Sequence, residues 1–490
     1  MFRLKNIPNS ILILLVVIGG FILRLYFVQL DPFLHSWDEH FHALVGKNLL
    51  SNPLKPMLLT NPIVPYQIAS WSSNHVWLHK QPLFLWQIAL SIKAFGNTVL
   101  AVRFPSVIMS TITIILVYRI TILFTKNFQT AILSALIMCF WNYQFNLITG
   151  RASTDHNDVA FGFYVLCSIW AYVEYLVKKK FQWVIFIGIF VGAAILNKWL
   201  TGLLVYGVWG INIVIAYLKE KKLDQIKYII ISFLFAVVVF LPWQIFIANN
   251  YTAEWIHESE FNKRHLWEAM DGNGGGIFFY IRKFKLYYGY LISPLFIYGI
   301  YLFFKKNVGE RKIGITLILL YAIIFIFFSL IVVTKMRAFV YCVLPIGVVF
   351  ASIAILEIKN KIPNKLATIF ILFIILFDFF NPVELLTYST KNKEFSKKLH
   401  NTALIKKTIE NLPAGFTTVL NVGNDEHLDL MFYASHTITA YQGVFNKEAM
   451  DSLANYQKPI AVFKSHGKWI LPDYVLKYPY LYIIPYQLND

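Results

Sequence analysis

Charge is what this chain has least of. Asp, Glu, Lys and Arg make up 14% of its 490 residues, against about 25% in soluble domains. That deficit excludes an ordinary cytosolic enzyme and a disordered scaffold. Cysteine is scarce too: Cys139, Cys167 and Cys342 all sit in apolar runs with no CxxC pair. A disulfide-stapled secreted module is therefore excluded. There is no GxSxG element and no internal repeat. The glycine-rich run Gly272–Gly276 lacks the following Lys-Ser/Thr of a nucleotide-cradling loop and reads as a flexible lid.

What is present is apolar. Hydrophobic residues reach 57% and aromatic residues 17%, with a mean hydropathy of +0.57. Most of the chain's solvent is lipid, and it is read as an α-helical polytopic membrane protein. A helix needs about 20 mainly apolar residues to cross roughly 30 Å of hydrocarbon. Stretches of that kind lie near 10–30, 99–119, 128–148, 158–177, 182–197, 199–217, 228–248, 286–304, 313–333, 338–357 and 366–382, so about 11 transmembrane helices are predicted. The first, preceded by Arg3 and Lys5, is longer than a signal-peptide core, lacks a small-x-small cleavage site and reads as an uncleaved span.

With the N-terminus inside, the short inner loops receive Arg119 and Lys126, then Lys178–Lys180, then Lys219, Lys221, Lys222 and Lys227. Lys305, Lys306, Arg311 and Lys312 follow, then Lys359, Lys361 and Lys365. This is the positive-inside pattern, and it accounts for the net charge of +18 without a nucleic-acid partner. The basic runs flanking 182–217 must share a side, which requires two passes joined at Asn197-Lys198. An odd count then sends the C-terminus out. The layout predicts a transmembrane domain over 1–382 and an outward soluble α/β domain over 383–490. Two large outer loops, 31–98 and 249–285, belong to the first domain. Helical spacing at 39–50 and 83–95, with Trp37, Trp71, Trp77 and Trp86, predicts interfacial helices lying on the bilayer surface. The tail combines a helix over 394–410 with β-rich runs at 417–422, 437–441, 460–463 and 480–485.

Arg24, Glu174 and Asp378, near span ends, read as snorkelling anchors rather than a midplane relay. The unusual polar residues collect instead at the outer edge. His35-Ser-Trp-Asp38-Glu39-His40-Phe-His42 follows span one. Asp38 or Glu39 is a candidate general base or cation ligand, the alternative being stabilisation of a helix N-terminus. His40 and His42, two apart, do not form an HExxH zinc motif. Arg151-Ala-Ser-Thr-Asp155-His156-Asn-Asp158 precedes span four. Asp155 and Asp158, three apart, suit a cation or acid/base role, the alternative being an N-cap by Thr154 or Asp155. Lys80 beside His79, Lys198, Arg264-His265, Lys335 and Arg337 supply cations where outer loops are normally poor in them, as an anionic lipid headgroup would require.

Taken in order, these motifs resemble the GT-C superfamily of integral-membrane glycosyltransferases. Within it they are most similar to family 39, the protein O-mannosyltransferase and aminoarabinose lipid A transferase group. The resemblance is carried by Asp38-Glu39, His79-Lys80-Gln-Pro82, Ala101-Val-Arg103-Phe-Pro105 and Arg151…Asp155…Asp158. Further along it rests on Asn197-Lys198-Trp-Leu-Thr201-Gly202, Leu241-Pro242-Trp243, Arg264-His265 and Thr334-Lys335-Met-Arg337. It implies transfer of a sugar from a polyprenyl-phosphate carrier such as undecaprenyl phosphate to a lipid, glycan or protein acceptor. Asp38, less surely Glu39, would be the acceptor-activating base, with Asp155 or Asp158 as the second carboxylate. Lys80 and Arg264 would hold the donor phosphate, with Lys198, Lys335 and Arg337 as weaker candidates. No nucleotide cofactor is implied. A divalent cation is left open, with Asp155, Asp158, His79 and His265 as candidate ligands, because His79 stands where some relatives carry a metal-binding Glu. The alternative function is a multispan transporter or flippase of lipid-linked saccharides. The loop charges fit a bacterial inner membrane with site and tail facing the periplasm.

Overall fold

The computed structural model describes residues 8–64, 66–72, 74–152, 155–221, 223–391, 393–423, 426–466, 469–485 and 488. Arg3, Lys5, Thr154 and Lys222 lie outside the described residues, as does the side chain of Asp155. Two compact units divide the chain. One contains 1–28, 80–84 and 106–385, and the other contains 29–79, 85–105 and 386–490. Most of the 31–98 segment, grouped with the spans in the sequence reading, falls in the unit of the C-terminal segment.

The first unit is helical. Among the described residues, nine helices are long and apolar enough to cross a membrane, or ten if the bent pair Phe128–Cys139 and Asn142–Ile148, angled at 46°, is one span. These ten coincide with predicted spans. The eleventh, 286–304, does not form one continuous helix of that length. It divides into Phe284–Tyr288 and Ile292–Lys306, broken at Gly289 with φ +71. A Cβ there would collide with the Asp378 carboxylate at 2.6 Å. That carboxylate accepts the backbone N–H groups of Tyr290 at 2.6 Å and Leu291 at 2.8 Å. It supplies the acceptors that the first turn of Ile292–Lys306 otherwise lacks. Fifteen residues at about 1.5 Å each reach only roughly 22 Å.

Asp378 is thus a helix cap, not a snorkelling anchor, and the other two presumed anchors are corrected likewise. Arg24 is buried. Its guanidinium donates to Ser110 Oγ (3.1 Å), Gly20 O (3.0 Å), Met138 O (2.9 Å) and Gln144 Oε1 (2.5 Å). It satisfies carbonyls at the C-terminus of Phe128–Cys139, where a cation also meets the negative end of the helix dipole. Glu174 is buried between Arg119 at 2.6 Å and Lys178 at 2.8 Å. In hydrocarbon, side chains this polar persist only when their partners are supplied by neighbouring helices. Close backbone packing accompanies these ties. A Cβ at Gly188 or Gly192 would strike the carbonyl oxygen of Ser232 or Ala236 in Ile226–Asn250, so only glycine permits the approach.

The second unit holds a four-stranded parallel sheet of β1 (Thr418–Leu420), β2 (Thr439–Ala440), β3 (Ile460–Phe463) and β4 (Leu481–Ile484) in the order β2-β1-β3-β4. Thr418 pairs with Thr439 and Ile460, and Ile460 pairs with Leu481. Each strand lies within a predicted β-rich run. Parallel neighbours need crossovers, and helices Glu426–Tyr433, Lys447–Asn455 and Asp473–Leu476 provide them. Leu420, Met450, Leu453, Ile460, Val462 and Val475 form the core beneath the sheet. In the same unit, helix Asp38–Asn48 is buried along nearly its whole length and packs on Glu426–Tyr433. It does not lie on a bilayer surface. Its Glu39, His40 and Lys47 are held by Arg103, by Asp429 and by the carbonyls of Met431 and Ala434, partners that lipid would not provide.

Candidate active site

In the second unit, Glu39 and Asp38 share one turn but not one fate. Glu39 is completely buried and meets Arg103 in a bidentate pair, Nε to Oε1 at 2.7 Å and Nη2 to Oε2 at 3.0 Å. Its Oε2 also accepts the His35 N–H at 2.6 Å. Arg103 donates further to Asp31 O at 2.8 Å and Phe33 O at 2.9 Å, so the pair clamps residues 31–39 into shape. Asp31 in turn holds the His35 imidazole at 2.9 Å, and burial keeps that imidazole below the usual histidine range. A base must reach its substrate, and Glu39 cannot. Asp38 opens the helix, retains 8% exposure and sits at a positive dipole end that favours its ionised form. The preceding Trp37 adopts φ +73 and ψ −130 and is 72% exposed. A non-glycine residue there stores about 1–3 kcal/mol of strain, which the Arg103 clamp sustains.

His40 Nδ1 meets Asp429 Oδ1 at 2.5 Å. His79 is stacked flat on Trp71, centroids 4.2 Å apart, with Asn74 at 3.1 Å from Nε2. It is held in an aromatic cage with Trp77.

In the first unit, helix Asp155–Lys178 brings Asp158 on its first turn into an ion pair with Lys198, the last residue of Phe181–Lys198. The Lys198 ammonium also stands 4.6 Å over the Phe339 ring. His156 Nδ1 is 2.9 Å from Ser106 Oγ. His265 follows helix Thr252–Arg264, its Nδ1 donating to Phe261 O at 3.0 Å. Burial lowers the His265 pKa, with Lys80 and Lys198 adding to the effect and Asp271 opposing it. His265 is thereby biased toward its neutral form, within electrostatic reach of Lys80 and Lys198. Arg337 is exposed and lies within electrostatic reach of Tyr143 and Tyr287.

Other predicted site residues stand elsewhere in their unit's polar economy. Lys335 caps carbonyls, donating to Phe328 O at 2.5 Å, Ser329 O at 3.0 Å and Val332 O. Arg264 forms a surface pair with Glu268, at 2.9 and 2.7 Å, of a kind worth at most about 1 kcal/mol. Arg151 donates to Leu385 O at 3.0 Å. The run read as a flexible lid is pinned at its start: Lys335 N–H donates to Asn273 O at 2.7 Å, and Met270 N–H to Thr334 Oγ1 at 3.1 Å.

Among the described residues, no group of three or more His, Cys, Asp or Glu side chains is arranged to hold a metal ion. Of the candidate ligands, Asp158 already faces an ammonium, and the side chain of Asp155 lies outside the described residues. Two contributors were given no individual role from sequence: Arg103 and Asp429. A charge inside an apolar run signals the first, because it demands a buried partner. Asp429 carries no such signal, lying 389 residues from His40.

Residues 79–246 match the family described as dolichyl-phosphate-mannose-protein mannosyltransferase. The match includes Lys80, Arg103, Asp158 and Lys198 and ends before Arg264. Undecaprenyl phosphate-alpha-4-amino-4-deoxy-L-arabinose arabinosyl transferase 2 of Proteus mirabilis (strain HI4320) is 25% identical over 245 residues, 49% of this chain and 42% of the relative. An uncharacterized protein of Aquifex aeolicus (strain VF5) is 29% identical over 161 residues, 32% of this chain and 29% of its own. The matched segments span less than half the length of either relative. Among solved structures, ArnT from Cupriavidus metallidurans bound to undecaprenyl phosphate aligns with TM-score 0.61 at 13% identity, covering 92% of this chain and 89% of that one. The oligosaccharyltransferase AglB from Archaeoglobus fulgidus, in complex with an inhibitory peptide and a dolichol-phosphate, aligns with TM-score 0.55 at 12% identity, covering 87% and 64%. At such identities the likeness is one of fold.

Proposed function

We propose, from the premise that the chain is a GT-C membrane protein of the glycosyltransferase family 39 type, that it moves a sugar from a polyprenyl phosphate to an acceptor hydroxyl or amine. Asp38 accepts the acceptor's proton as the acceptor atom bonds to the anomeric carbon. The bond from that carbon to the phosphate oxygen breaks, and the polyprenyl phosphate leaves with the electron pair. Negative charge grows on the phosphate during this step, and fixed cations that need no reorganisation lower its cost. The observation that carries the reading is that Lys80 and Lys198 both lie in the unit of the membrane helices, within electrostatic reach of His265. Lys80 is the donor-phosphate cation, supported by Arg337. Lys198 shares its charge with Asp158, and the commitments of Lys335 and Arg264 make them lesser contributors. The basic loops on one side support a bacterial inner membrane and chemistry on the periplasmic face.

The test is the full chain in lipid nanodiscs, incubated with a panel of undecaprenyl-phosphate sugars and membrane-extract acceptors, with mass spectrometry following free undecaprenyl phosphate. Wild type is expected to release it. Lys80→Met is expected to lower that rate by roughly tenfold to a hundredfold, the loss of one charge-assisted contact to phosphate. Absence of turnover with every lipid-linked sugar would overturn the transferase reading in favour of lipid-linked saccharide transport. Because Asp158 is charge-paired by Lys198, activity is expected to survive EDTA. Loss on chelation that added magnesium or manganese restores would contradict this.

A further inference from the structure

The second unit contains a partly open cavity of about 190 Å³ that the proposed transfer does not use. At about 30 Å³ per water molecule it has room for roughly six, the scale of one sugar ring and far short of a lipid chain. Its walls come from two distant parts of the sequence. Leu34, Ser36 and His40 flank Asp38 on both sides, and helices Lys393–Asn411 and Glu426–Tyr433 close the rest.

The wall chemistry is mixed and balanced. Lys397 and Lys398 face the carboxylates of Glu394, Glu426 and Asp429, so there is no surplus of cations to select a phosphate. Lys398 Nζ donates to Ser36 Oγ at 2.6 Å, Asn401 Nδ2 to Glu426 Oε1 at 2.9 Å, and His40 pairs with Asp429. Burial raises the Glu426 pKa and lowers that of Lys398, which further mutes the field. Donors and acceptors therefore both line a small space. A hydroxyl both donates and accepts, so a ring carrying several hydroxyls can replace water on every wall. Buried Leu34 offers an apolar face for its C–H side.

We propose that this cavity is an acceptor-side subsite for one uncharged sugar ring. It rests on the transferase reading and narrows it, since the acceptor is then a saccharide rather than a protein side chain. The segment that carries the base, between Ser36 and His40, also forms the wall against which the acceptor ring is held.

Saturation-transfer NMR on the full chain in nanodiscs tests this, with methyl mannoside, glucoside and galactoside as probes and inorganic phosphate as competitor. At least one glycoside is expected to bind wild type. Lys398→Met and Glu426→Gln are expected to weaken it by roughly tenfold or more, and phosphate is expected not to displace it. Ser36 is exposed, so Ser36→Ala serves if a buried variant fails to fold, and it too is expected to weaken binding. No glycoside binding, equal binding in folded variants, or displacement by phosphate would each overturn the assignment. Undecaprenyl phosphate release by wild type, measured in parallel, separates the two claims. Silence there with glycoside binding intact defeats the transferase reading alone.

Discussion

Asp38→Asn is expected to cripple the proposed sugar transfer while leaving the protein folded. The substitution keeps the volume and most hydrogen-bonding capacity of the side chain but removes its ability to take a proton. General-base catalysis is worth about 10²–10⁴-fold, so the rate is expected to fall by that factor while the donor KM stays near wild type. Losing a charge at the start of Asp38–Asn48 costs only about 0.3–1 kcal/mol. The measurement is single-turnover release of undecaprenyl phosphate in nanodiscs beside a thermal unfolding curve. A variant within a few-fold of the wild-type rate would remove Asp38 from the mechanism.

The neighbouring residue gives the opposite result. Arg103→Met leaves Glu39 as an uncompensated charge with no exposure, and breaking a buried pair in this way costs about 3–5 kcal/mol. The clamp on the carbonyls of Asp31 and Phe33 is lost as well. A large fall in unfolding midpoint is therefore expected, with proteolysis beginning in residues 29–40. The double variant Glu39→Gln, Arg103→Met should recover much of the stability, because the orphaned charge is gone. If Arg103→Met unfolds like wild type yet is inactive, the pair is part of the chemistry and not of the frame.

The two expectations show where sequence was legible and where it was not. Long apolar runs are a local property, and ten of the eleven predicted spans correspond to helices for that reason. The remaining run failed at Gly289, because composition does not report a backbone turn that a carboxylate 89 positions later stabilises. The parallel strands were visible as runs of apolar and β-branched residues, such as Ile460–Phe463. Within the candidate site, the residue types and neighbourhoods could be read: an acidic pair, a second carboxylate, scattered cations. What could not be read was assignment between neighbours. Asp38 and Glu39 are equivalent as text, and their separation into a carboxylate that keeps 8% exposure and a clamped one that keeps none is decided by Arg103, 64 residues away from Glu39. Asp158 and Lys198 were both singled out, yet only their contact shows that each partly cancels the other's charge.

The second unit is assembled from three stretches of chain, 29–79, 85–105 and 386–490, and this dictates an order of events during synthesis. Residues 29–105 leave the ribosome early, but His40 waits 389 positions for Asp429, and Lys47 waits as long for the carbonyls of Met431 and Ala434. Until the last quarter of the chain has been made, the polar helix Asp38–Asn48 lacks its cover by Glu426–Tyr433, and the cavity beside it has one wall. Contacts this distant in sequence are slow to form and expose unpaired surface meanwhile. A chain that stalls before its sheet is complete thus leaves His40 and Lys47 without Asp429 and the carbonyls of Met431 and Ala434 that hold them in the finished molecule.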